Sequence, residues 1–199
     1  MANLVAKNTL DEAVTRLANH LNKKANIPVD LRGVVYSLAM RKNSAETFDK
    51  LYELAKNEDL QEEKVRLYRA MCSSDHEESI KKCLELGLKD EIRPADAWIF
   101  FVASSMSSAK GREETWKFIQ DNFAKIEARF DGLFLLPRII EMTTNLFTCE
   151  EKAKHSETFF EKHQVPSATR VIQQSLESVR NNARWLRNEK EALMAFLEA

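Results

Sequence analysis

Apolar residues return every three or four positions along most of this chain, the spacing of helices that each bury one face. The pattern is clearest between Gly111 and Thr148, where Trp116, Ile119, Phe123, Ile126 and Phe130 fall at steps of three, four, three and four. Arg112, Glu113, Glu114, Lys117, Gln120, Asp121 and Lys125 lie off that stripe and are placed facing water. The period breaks at Asp131-Gly132, where glycine gives the backbone freedom to end a helix. Leu133 to Ile140 then opens a return helix, with Pro137 tolerated in its first turn. The pair reads as a helical hairpin that further helices must cover on both sides.

The rest of the chain repeats this logic. Leu10, Val14, Leu17 and Leu21 mark a first helix over Thr9 to Lys23. Pro28 opens a second, with Leu31, Val34, Val35, Leu38 and Met40 expected inward. Ser44 is read as the cap of a third, carrying Phe48, Leu51, Leu54 and Ala55. A fourth places Leu60, Val65 or Lys64, Leu67, Tyr68 and Met71 inward. Ser74 with Glu77, and Thr148 with Glu151, have the spacing of capping boxes before Ile80 and before Phe159. Pro94 starts DAWIFFVASSM, and Pro166-Ser167 the last element. First helices thus begin near residues 9, 44, 75, 111 and 149, and their partners near 28, 60, 94, 133 and 167. A two-helix unit recurring every 31 to 39 residues predicts an all-α solenoid of about five antiparallel pairs, a HEAT-like α-α superhelix. Ile172, Leu176, Val179, Ala183, Leu186, Leu193 and Leu197 keep a heptad along a final helix that closes the stack. Residues 1–199 are read as one domain, with 1–8 a disordered leader.

Composition supports this picture. Four Gly and four Pro in 199 residues favour helices over sandwiches or barrels. A net charge of −1, without a Lys/Arg run, argues against a nucleic-acid partner. No apolar stretch approaches the roughly 20 residues that span a bilayer. Cys72, Cys83 and Cys149 form no Cys-x-x-Cys pair and read as reduced, mostly packed thiols of a cytoplasmic protein.

No catalytic motif is complete along the sequence. His76-Glu77-Glu78 begins like the zinc motif H-E-x-x-H, but the second ligand position holds Ile80. His20, His155 and His163 have no carboxylate or thiol at ligand spacing and are expected at the surface. Glu62, Glu63, Glu113, Glu114, Glu150 and Glu151 cluster in first turns, where the helix dipole accounts for them. Trp98, Trp116 and Trp185 are expected in the core. Arg138 is the odd residue: a charge inside LLPRII needs a partner or a cavity to face.

Several segments in order resemble the end of puromycin-sensitive-type zinc aminopeptidases of the gluzincin clan: LDEAVTRLANH, PVDLRGVVY, DLQEEKVRLYRAM, DEIRPADAW, GREETWKFIQDNF, FDGLFLLPRII and FFEKHQVPSATRVIQQSLESVRNNARWL. That resemblance implies the C-terminal HEAT-like domain of such an enzyme, part of the peptide-cavity wall and lid. It assigns no catalytic or metal residue here, because H-E-x-x-H and G-A-M-E-N are both missing. Zinc is expected only in the catalytic domain outside this chain. Implied partners are peptide and a thermolysin-like catalytic domain, with Arg138 the candidate contact. The alternative is a free-standing truncated relative acting as a peptide- or protein-binding scaffold. The first helix lacks evident cover on its outer side beyond Leu4 and Val5, so weak self-association through residues 1–40 is also expected.

Overall fold

The computed structural model describes the backbone of residues 2–42 and 44–198, and the side chains of residues 8–42 and 45–198. Among these residues the chain forms eleven α-helices and one 3-10 turn, and no strand. The all-α class holds. The helices are α1 (Ala2–Leu21), α2 (Val29–Lys42), α3 (Ser44–Lys56), α4 (Gln61–Met71), α5 (Glu77–Leu86) and α6 (Pro94–Ser107). They continue as α7 (Ala109–Asp121), α8 (Phe123–Phe130), α9 (Leu135–Thr144), α10 (Glu150–Lys162) and α11 (Thr169–Glu198), with the 3-10 turn at Pro166–Ala168. Helix α1 takes in the residues read as a leader. The side chains of Leu4, Val5 and Ser44, on which the outer cover and one cap depended, lie outside the described residues. The chain divides into two compact units, Met1–Phe118 and Ile119–Ala199, with the division inside α7.

In the first unit the expected partners pack together: α1 on α2, α3 on α4 and α5 on α6. The second helices also touch in succession, α2 with α4 and α4 with α6, while α3 meets α5. Within this unit the layering is solenoid-like, each pair burying its face on the next. Helix α2 departs from its expected orientation. It buries Val35, Tyr36, Ala39 and Met40, while Leu31 and Val34 stay 46% and 58% exposed. The reason is its position: α2 touches α1, α3 and α4, so apolar residues are useful on several sides and no single stripe marks its interior.

The capping boxes are replaced by other devices. The Ser74 hydroxyl accepts the His76 N–H at 3.0 Å, shaping the turn before α5, and the helix begins only at Glu77. Helix α10 follows Cys149, whose side chain makes no capping bond. Both helices carry acid pairs in their first turns, Glu77-Glu78 and Glu150-Glu151, which complement the dipole without a hydroxyl cap.

One residue, Ser108, joins α6 to α7. Its extended backbone (φ −163°, ψ 169°) turns the chain, and its hydroxyl accepts the Gly111 N–H at 2.9 Å. A β-carbon at Gly111 would lie 2.3 Å from the Ser104 carbonyl oxygen and 2.6 Å from the Ser107 hydroxyl. Only glycine fits this approach.

The stripe from Trp116 to Phe130 is buried at all five positions, but two helices carry it. The chain leaves helical geometry at Asn122 (φ −122°, ψ 19°), a residue type whose side chain competes for backbone partners. In the second unit α8 packs on α9, α10 on α11 and α9 on α11. Phe123 meets Phe159 edge-on at 5.2 Å between ring centres and Phe160 at 6.4 Å. Gly132 holds φ +69° at the turn into α9, as its place at the break in period implied. Along α11, Leu176, Val179 and Ala183 are buried, whereas every described residue from Arg184 on is exposed.

Two substitutions should separate core from surface in urea unfolding. Phe123→Ala should cost about 3–5 kcal/mol, while Glu127→Ala, on the exposed side of α8, should stay within about 0.5 kcal/mol. Equal midpoints would show that the stripe is not the core. Gly111→Ala should cost about 1–3 kcal/mol by overpacking against backbone, and an unchanged midpoint would mean that the α6–α7 joint is loose.

Candidate functional site

One heavily partnered ionisable group of the first unit is a first-turn acid of the kind the helix dipole alone would explain. Glu63, in the first turn of α4, is only 2% exposed. Tyr36 of α2 donates its hydroxyl to Glu63 Oε1 at 3.1 Å. Arg66, three residues on along α4, donates to Oε2, and Arg32 of α2 approaches the same oxygen at 3.5 Å. Arg32 also donates to the Ile27 carbonyl at 3.2 Å. Burial, then the charge and hydrogen bond of Glu63, push the Tyr36 hydroxyl well above its ordinary range, so it stays a donor.

His20 stands beside this group, its ring 6.3 Å from that of Tyr36, with Nδ1 accepting the Ile27 N–H at 3.4 Å. It is half-buried, not at the surface as its spacing suggested. Burial and then the charge of Arg32 hold its pKa below the ordinary value. The arrangement locks α2 to α4 and ties in the α1–α2 turn. A buried carboxylate with two guanidiniums and a phenol is anchoring chemistry. The signal that could have found it is the pairing of Arg32 and Tyr36 on one helix with Glu63 and Arg66 on another.

The other candidates are scattered. Arg138 is exposed on α9, between buried Leu136 and buried Ile139. Upstream, Leu133 and Phe134 stand out at the turn, Phe134 with 97% of its surface in water. His76 is exposed before α5. Glu77, which would be the base of a zinc motif, accepts from Lys81 at 2.5 Å and meets Lys110 at 3.2 Å. The two ammonium groups hold its carboxyl below the ordinary range. His163 is exposed but rests on Phe159, ring centres 4.5 Å apart. Trp116 is core, Trp98 is half-buried with its indole donating to the Ala95 carbonyl, and Trp185 is 56% exposed, contrary to expectation. Trp185 lies past the point where α11 is covered. Cys72 and Cys83 are buried and Cys149 exposed, all three as free thiols. Among the described residues no group of three or more His, Cys, Asp or Glu could hold a metal ion.

Comparison with known proteins places this helical architecture. The family model of the ERAP1-like C-terminal domain matches residues 1–181. The chain belongs to that family. It is 31% identical over 188 residues to aminopeptidase M1 of Arabidopsis thaliana, covering 92% of this chain and 21% of that protein. It is 28% identical over 191 residues to aminopeptidase N of Canis lupus familiaris, covering 92% and 20%. Endoplasmic reticulum aminopeptidase 2 of Homo sapiens is 26% identical over 177 residues, covering 87% and 18%. This ERAP1-like domain therefore spans about a fifth of the length of the aminopeptidases it matches. Those relatives are M1 aminopeptidases, a zinc peptidase family, and what matches is their C-terminal domain. No helix among the described residues is long and apolar enough to cross a membrane.

Two measurements test the buried group. Glu63→Ala should cost about 1–3 kcal/mol, since both guanidiniums keep contact with water, and Tyr36→Phe about 1 kcal/mol. If both variants unfolded like the parent, the group would hold nothing together. His20 adds a pH dependence. Its native pKa lies below 6.5, so the stability carried by neutral His20 is complete above that value and is lost as pH falls through the native one. His20→Gln should flatten the difference between midpoints at about pH 7 and about pH 5. An identical pH profile in the variant would remove His20 from the account.

Proposed function

We propose that this chain is the non-catalytic C-terminal domain of an M1-type zinc aminopeptidase, forming part of the wall and lid of its peptide cavity. The family match over residues 1–181, against only about a fifth of the relatives' length, carries the reading. In this reading the chemistry, and the zinc that serves it, belong to a catalytic domain outside these residues. In this reading the HEAT-like stack has two partners, peptide and that catalytic domain, and Arg138 with the exposed Phe134 contacts one of them from the start of α9. Three free thiols fit a reducing, cytoplasmic setting. A second reading, a free-standing scaffold that binds peptide or protein or associates weakly with itself, draws support from the exposed apolar end of α11, where Phe196 is 77% and Leu197 68% exposed.

The chain alone should leave aminoacyl-coumarin substrates uncleaved. Mixed with the Arabidopsis aminopeptidase M1 lacking its matching segment, it should associate and raise turnover of long peptides more than of aminoacyl-coumarins. Arg138→Ala should weaken that gain severalfold. Absence of association in sedimentation, with peptide binding by the chain alone, would replace the first reading with the second.

A further inference from the structure

The groove between α2 and α4 has properties that neither the buried Glu63 group nor the cavity-wall reading uses. It is an open trough of about 610 Å³. Its walls are two helical stripes: Val34, Leu38 and Arg41 on α2, and Glu62, Val65 and Arg69 on α4, each at steps of three or four. The floor is apolar, with Val34 more than half exposed and Gly33 offering no side chain to obstruct approach. The rim is basic. Arg41, Arg66 and Arg69 line the groove, against one acid, Glu62. Arg66 is already paired with Glu63, which it shares with Arg32. Arg41 and Arg69 make no ion pair among the described residues, although surface acids elsewhere are taken up by nearby cations, as Asp11 is by Lys42 at 3.0 Å.

Each of these arginines sits in the last turn of its helix, where the dipole favours a cation. The dipole accounts for a basic residue there, but not for two unpaired guanidiniums opening on one apolar trough. A guanidinium fork binds carboxylates bidentately, and an apolar floor between two such forks fits a segment that alternates acid and aliphatic side chains.

We propose that the α2–α4 groove is a docking site for an acidic, leucine-bearing protein segment, whose side-chain carboxylates pair with Arg41 and Arg69 while its aliphatic residues cover Val34, Leu38 and Val65. This goes beyond the cavity-wall reading and stands without it, because every residue involved lies between Gly33 and Arg69. Binding is steered by charge and weakened by salt.

The test uses the whole chain and a fluorescein-labelled, C-terminally amidated peptide of glutamate and leucine, followed by anisotropy. The peptide should bind, and raising NaCl from about 50 to about 300 mM should weaken it. The same peptide with glutamine for glutamate should not bind. The double variant Arg41→Gln/Arg69→Gln should weaken binding about tenfold or more and keep the parent's circular dichroism and urea midpoint, since neither side chain holds the fold. Equal binding of the glutamine peptide, or of the double variant, would overturn the proposal. So would binding confined to a peptide with a free C-terminal carboxylate, which would assign the groove to chain termini.

Discussion

A carboxylate withdrawn from water is tolerable only where donors replace the water it lost, and Glu63 imposes that condition on the first unit. Its donors come from two helices, Tyr36 and Arg32 from α2 and Arg66 from α4. They meet only if α2 is turned to bring Tyr36 inward, and that rotation carries Val35, Ala39 and Met40 inward as well. It also turns Val34 and Leu31 outward, leaving apolar surface that a simple amphipathic helix would have hidden. The buried acid and the exposed groove are thus two sides of one rotation. Arg66 belongs to both: its guanidinium satisfies Glu63 while its aliphatic stem runs past Gly33 and walls the groove.

The helices were legible in the sequence because most of them bury a single face. Helices α3, α5 and α8 show this: Phe48 and Leu51, Ile80 and Leu84, Ile126 and Phe130 stand where the period puts them. Helix α2 was not legible in the same way, because a helix with neighbours on several sides spreads its apolar residues around the axis. Glu63 was hidden for a different reason. A first-turn acid already has an explanation in the helix dipole, and nothing local distinguishes it from Glu62 beside it, which is exposed. What separates the two is Tyr36, 27 residues away, and periodicity carries no information about partners at that distance. The same limit explains the caps. Ser74 and Glu77 have the right spacing, yet the serine bonds one residue short of the helix because the turn there takes the hydroxyl first.

The last helix shows where periodicity stops being informative about burial. Its heptad runs unbroken in kind from Ile172 to Leu197, apart from Lys190. From Leu176 to Ala183 the seam is a core, filled against α9 and α10. Beyond it the same spacing lies in water, and the last tie to α10 is the exposed pair Arg187–Glu150 at 3.3 Å, a contact of little energetic weight. The family match ends at residue 181, close to that transition. Leu176 and Leu193 are equivalent as letters in a pattern, both apolar and both on the seam, but only the first is held by neighbours. A hydrophobic period therefore specifies which side of a helix is available for burial. Whether that side becomes core depends on the helices packed against it, and for α11 they end halfway along its length.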